Sequence, residues 1–135
     1  MNSCFFIGHA DAPEAVFAQL TQTVERLILN ENVGYFYVGG YGNFDRLAAM
    51  AVKRLKKSYP FILLMLVLPY HPSERPVPIP EGFDGTYYPE GMETVPKRYA
   101  IVRANRKMVE TVDWLIAYVW HPARNSRSIL EYAQR

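Results

Sequence analysis

The sequence predicts an α/β fold, a three-layer α/β/α arrangement around a mainly parallel sheet of about four to five strands, in one domain. Three observations predict it. The continuous apolar runs Cys4 to Ile7, Tyr35 to Val38, Phe61 to Leu68 and Leu115 to Trp120 have the length and character of strands covered on both faces. Segments between them place apolar residues three and four apart, the mark of amphipathic helices. The run at Tyr35 to Val38 breaks into Gly39, Gly40 and Gly42 and then opens such a helix, a strand, a tight turn and a helix start.

A chain of 135 residues suits one core and buries about two-thirds of its unfolded surface. With 50% hydrophobic and 21% charged residues it is far from a disordered composition. The single cysteine, Cys4, excludes an intramolecular disulfide and a multi-cysteine metal site, and suits a reducing compartment. The N-terminal residues lack the basic and apolar regions of a signal peptide. The longest apolar run, Phe61 to Leu68, is far shorter than the roughly 20 residues of a membrane helix. A cytoplasmic protein without a membrane partner is the expectation. The net charge of +2 is uneven, because only Glu110, Asp113 and Glu131 of the 13 acidic residues lie beyond residue 96. Any anion-facing surface therefore belongs to the C-terminal part.

The first strand, Cys4 to Ile7, ends at Gly8. Asp11 is expected to open a helix, with Glu14 at capping-box spacing and Pro13 in the first turn. Val16, Leu20, Val24, Leu27 and Ile28 form its apolar stripe, and Asn30 to Gly34 supplies a left-handed cap. The second strand spans Tyr35 to Val38. A second helix begins at Asn43 or Phe44 and carries its stripe on Phe44, Leu47, Ala48, Ala51, Val52 and Leu55. Lys53, Arg54, Lys56 and Lys57 near its end complement the helix dipole, which favours a solvated face over a nucleic-acid patch.

Phe61 to Leu68, between Pro60 and Pro69, is the third strand. Residues 69 to 96 hold seven of the ten prolines, so no helix is expected there, although Gly85 to Tyr88 suits a short extra strand. This aromatic, proline-rich segment is expected to fold over a site as a lid. Pro96 opens a third helix to about Glu110, bearing Lys97, Arg98, Arg103, Arg106 and Lys107. The strand Leu115 to Trp120 follows, and a last helix starts near Asn125 or Ser126.

Candidate site residues gather at the strand ends, where open α/β sheets bind ligands. The glycine turn lets a ligand approach the backbone, and the helix start beyond it offers amides to a phosphate. His9, His71 and His121 each follow a strand, but strand spacing of about 4.8 Å places them too far apart for one ion with metal–nitrogen bonds near 2.1 Å, so no metal site is expected. On the third helix, arginine grips phosphate and Asn105 reads a base or ribose hydroxyl, with the alternative that Asn105 and Asp113 anchor the helix. Ser128 and Glu131 have capping-box spacing, and Glu131 is alternatively an acid/base carboxylate. No Walker-type motif occurs, and no nucleophile has a base at a recognisable spacing.

Taken together, Phe6-Ile7-Gly8-His9, Tyr37 to Asp45 with its glycines, Leu68-Pro69-Tyr70, and the run from Asn105 through Met108, Val109 and Asp113 to Leu115-Ile116-Ala117 resemble the SLOG superfamily. That group is named after the DNA-processing protein A and Lonely Guy families, and the likeness is closest to its small single-domain bacterial members. The resemblance covers nearly the whole chain in order. It implies a Rossmann-like fold, frequent homodimers, and a pocket for nucleotides or nucleotide-derived ligands. Two arginines common in small members are replaced by Ala10 and Ala104, with Arg103 or Arg106 as substitutes. The phosphate loop of the Lonely Guy enzymes survives only as Ser128-x-x-Glu131, its glycines replaced by Ala123, Arg124 and Ser126.

The expectation is therefore binding or sensing of a nucleotide-derived small molecule, without a resident cofactor. Its contacts would be Gly8, His9, Gly39, Gly40, Gly42, Asn43, Phe44, Asp45, Tyr70, Arg103, Asn105, Asn125, Ser126 and Ser128. One alternative is a nucleoside monophosphate phosphoribohydrolase using Glu131 and Arg106. Another is single-stranded DNA binding through the basic C-terminal part.

Overall fold

The computed structural model describes residues 1–118. Its sheet has five strands, all parallel: β1 (Asn2–Gly8), β2 (Val33–Val38), β3 (Leu63–Val67), β4 (Gly85–Tyr87) and β5 (Trp114–Tyr118). Their spatial order is β4-β3-β2-β1-β5. The chain thus steps outward from β1 through β2 and β3 to β4, then returns to lay β5 on the other side of β1. Helices α1 (Val16–Glu31) and α2 (Asn43–Lys56) cover one face, and α3 (Ala100–Thr111) covers the other. This is the three-layer, Rossmann-like arrangement expected from the sequence.

Alternation along β1 divides the apolar material between the faces. Cys4 and Phe6 point to α1 and α2, where Leu20, Val24, Phe44, Leu47 and Val52 pack with them. Phe5 and Ile7 point to α3, against Ala100, Ala104 and Met108. Both sets are buried, and each large side chain withdrawn from water contributes roughly 1.5–3 kcal/mol.

Helix α1 starts at Val16, four residues later than its capping-box spacing implies. The physical reason lies in Glu14. Its carboxylate accepts from the Asn43 side-chain amide at 2.9 Å and from Arg46 at 2.5 and 2.6 Å, so it ties the β1–α1 connection to α2 and does not cap α1. At the other end Asn32, at φ 54°, supplies the left-handed cap. Helix α3 is preceded by a 3₁₀ turn, Lys97–Tyr99, that follows Pro96. The remainder of the expected last strand beyond Tyr118, His121 and the helix from Asn125 lie outside the described residues.

No helix joins β3 to β4, although parallel neighbours usually require one. The proline-rich connection closes with Phe83 packed into the α1–α2 face and Lys53 of α2 above its ring, 5.1 Å from the centroid. Asp84 pairs with Lys56 and accepts the Leu64 amide at 2.8 Å. After β4 the chain sends Met92 into the α3 face, where it is 3% exposed. The segment expected as a lid therefore builds the outer wall of the sheet on both faces.

Two glycines set a contrast in tolerance. A Cβ on Gly42, which has φ +120°, would lie 2.5 Å from the backbone Cα of Ala10, whereas one on Gly34 would meet only the Met1 side chain, chiefly its flexible Sδ and Cε end. Gly42→Ala should lower stability by about 2–4 kcal/mol through backbone strain and overpacking, and Gly34→Ala should stay within about 0.5 kcal/mol of the parent. Chemical denaturation of the pair checks this, and equal losses would show that the Ala10 contact does not constrain the turn.

Candidate functional site

The ends of β1 and β2 and the first half of α3 enclose a cavity of about 240 Å³. Strand β1 leads into it through Gly8, His9 and Ala10, and β2 through Gly39. The glycine turn supplies Tyr41, α2 supplies Asp45, and α3 supplies Ile101, Val102 and Asn105. Its floor is the apolar end of β1, so polar groups converge over a hydrophobic base, the usual make-up of a small-molecule site.

Asp45 is the chemically distinctive group. Its Oδ2 accepts the Tyr41 backbone N–H at 2.9 Å, which holds the carboxylate back over the turn. Burial pushes its pKa up to about 6, against the smaller opposing effect of that amide. No cation among the described residues forms an ion pair with it. A carboxylate has about four lone-pair sites, and Tyr41 uses one.

The turn itself is closed to an external anion at two of its amides. Asn43 N–H, the first of α2, donates to the Ala10 carbonyl at 2.8 Å, and the Tyr41 amide is held by Asp45. Gly42 lies directly against Ala10. The geometry differs from the expected phosphate cradle because an internal carboxylate already sits over the turn.

Of the residues expected at the ligand, Gly8, His9, Gly39, Asp45 and Asn105 share this cavity. His9 is 2% exposed, with its ring edge-on to Tyr118 at 6.2 Å between centroids. Gly39 leaves room for Asp45, whose Oδ2 would be 3.1 Å from a Cβ placed there. Gly40 and Tyr70 line a second cavity, also about 240 Å³, on which Tyr41 borders as well. Gly42, Asn43 and Phe44 line neither. Asn43 spends its side chain on the Ala12 carbonyl (2.5 Å), Glu14 and Arg46, and Phe44 is 1% exposed under Gly8 and stacked on Tyr118.

Arg103 and Arg106 are exposed on α3 and line neither cavity. Ala104 faces the sheet and is 2% exposed, so the position next to Asn105 has no room for a cation. Asp113 accepts the Ser3 N–H at 2.9 Å and its hydroxyl at 3.1 Å, which fixes the start of β5 to β1. Asn125, Ser126, Ser128 and Glu131 lie outside the described residues.

Sequence reasoning missed Tyr41, Ile101 and Val102 as cavity residues. Tyr41 was marked by its place between glycines, and Ile101 by standing one helical turn before Asn105. Val102 carried no such signal.

His71 belongs to a different cavity, where its Nδ1 accepts the Ser73 N–H at 3.0 Å. Among the described residues no three His, Cys, Asp or Glu side chains are grouped to hold a metal ion, and no helix is long and apolar enough to cross a membrane. Fold and cavity together define a parallel α/β protein with a small-molecule-sized site at its strand ends. Neither protein-family models nor curated proteins give a match to the chain.

An acid whose folded pKa lies above its unfolded value binds its proton more tightly in the native state. Its contribution to stability is present at low pH and is lost as pH rises through about 6. Asp45→Asn keeps an acceptor for Tyr41 and removes the charge. It should gain about 1–2 kcal/mol over the parent at pH 7.5, with the advantage shrinking toward pH 4. Urea denaturation across that range reads the difference, and a flat difference would mean that Asp45 is well solvated.

Proposed function

We propose that this protein binds a nucleotide-derived small molecule, with its nucleoside end seated in the cavity between β1, β2 and α3. The observation that carries this is Asp45, a half-buried carboxylate with no cationic partner among the described residues, which shares with Asn105 a cavity on an apolar floor. Ribose hydroxyls and base amino groups are donors that such a carboxylate accepts, and an asparagine amide both donates and accepts at a base edge. The cavity volume, at the small end of ligand sites, suits a single nucleoside better than a dinucleotide.

The ordered resemblance to the SLOG superfamily supports the same reading, since its first, second and third-helix motifs each contribute to this cavity. A cytoplasmic homodimer of bacterial type belongs to that reading. The basic end of α2 favours a small molecule over nucleic acid, because Lys53 lies over Phe83 and Lys56 is paired with Asp84.

Isothermal calorimetry with adenosine, guanosine, cytidine, uridine and ADP-ribose tests the proposal. At least one should bind saturably at pH 7.5, about tenfold more weakly in Asn105→Ala, and with affinity falling as pH drops through 6 and Asp45 gains a proton. Absence of binding by the whole panel, or affinities indifferent to both Asn105 and Asp45, would eliminate it.

A further inference from the structure

Arg75 is a cation that the nucleoside cavity does not use. It follows β3 in the turn where its N–H donates to the His71 carbonyl at 3.0 Å, and its guanidinium lies over the Tyr70 ring, 4.0 Å from the centroid. Stacking on one face fixes the plane of the guanidinium and leaves its N–H edge open to a ligand. No described carboxylate forms an ion pair with it. With Gly40, Tyr41, Tyr70 and Val77 it lines the second cavity of about 240 Å³.

Tyr41 is the wall common to both cavities. Asp45 lines the cavity on one side of it and Arg75 the cavity on the other. Burial raises the pKa of its phenol, Tyr70 raises it further, and of the two charges Arg75 lowers it while Asp45 raises it. The two cavities therefore adjoin at Tyr41 and carry opposite charges. A ligand that spans Tyr41 meets a lone-pair-rich carboxylate at one end and a fork of N–H donors at the other.

We propose that Arg75 is the anion-binding residue of this site, so that the ligand is a nucleotide whose phosphate passes over Tyr41 to the Arg75 guanidinium. This rests on the nucleoside reading of the first cavity and goes beyond it by assigning the phosphate a place. The opposed charges orient the ligand. A phosphate beside Asp45 would be repelled, whereas a phosphate at Arg75 accepts two parallel N–H bonds, the arrangement that arginine makes best. The glycine turn, with its Tyr41 and Asn43 amides engaged internally, does not compete for it.

The test compares each of the four nucleosides with its 5′-monophosphate by calorimetry, in the parent protein, Arg75→Gln and Arg75→Lys. Because Arg75 is exposed and makes no ion pair among the described residues, the variants should fold as the parent does, with melting lowered only slightly by loss of the Tyr70 stacking. The monophosphate should bind the parent at least about tenfold more tightly than the nucleoside. That gain should vanish in Arg75→Gln, persist in part in Arg75→Lys and shrink with added salt, while nucleoside affinity stays unchanged in all three. Equal binding of nucleoside and monophosphate by the parent, or a gain that survives Arg75→Gln, would overturn this assignment and leave the nucleoside reading standing. Binding of neither by the parent would remove both.

Discussion

The contact between Ala10 and Gly42 governs the rest of the site. It brings the end of β1 within van der Waals reach of the turn after β2, and only a glycine at φ +120° permits that approach. The Asn43 amide then reaches the Ala10 carbonyl, and the Asn43 side chain reaches the Ala12 carbonyl. Glu14 and Arg46 complete the tie, with the Glu14 carboxyl held below the usual carboxylate range by Asn43 and Arg46. Because the first turn of α2 is fixed at these points, Asp45 in that same turn is aimed back over Tyr41 and into the cavity. The direction of one carboxylate thus follows from a backbone contact made elsewhere.

The second face of the sheet is built differently, and that difference leaves room for the two cavities. Helix α3 lays only small or slender residues on β1, with Ala100 and Ala104 beside Met108. Small side chains let the helix sit close to the sheet, and Ile101, Val102 and Asn105 are left at its rim over the strand ends. Tyr87 at the end of β4 and, after it, Met92 with Tyr88 and Val95 fill the adjoining space. A helix at this place would have covered the end of β3. The proline-rich connection instead leaves Tyr70 and Arg75 standing beside the turn.

Strands and helix order were legible in the sequence because apolar period and run length report burial directly. Element starts were less so. Glu14 has the spacing of a cap, but spacing within a segment does not reveal that Asn43 and Arg46, distant in sequence, are better partners for its carboxylate. The glycine turn was legible as a turn, while its chemistry depended on Ala10 and Asp45 closing upon it. The same limit applies to the ligand contacts. Gly39, Asp45 and Asn105 follow from position at strand and helix ends, whereas Asn43 and Phe44 occupy equally suggestive positions and are absorbed by packing. Arg75 had no motif at all, since its place depends on the path of a proline-rich segment that obeys no period.

The carboxylate at the heart of the site is a stability liability, and that bears on its role. A half-buried acid with no paired cation among the described residues raises the free energy of the native state once it ionises, and an asparagine would satisfy Tyr41 without that penalty. Groups retained against stability are characteristic of sites where a ligand supplies the missing partner. Cys4, fully buried and with its thiol pushed up to about 12, shows the contrast: there burial simply keeps the group neutral and inert. Asp45 sits instead in a range where it is mostly ionised at neutral pH, oriented by one hydrogen bond and with most of its acceptor capacity unspent. With Arg75 on the far side of Tyr41, two charges of opposite sign without an ion-pair partner among the described residues lie in adjoining cavities, and the proposed ligand, carrying both donors and an anion, would neutralise them together.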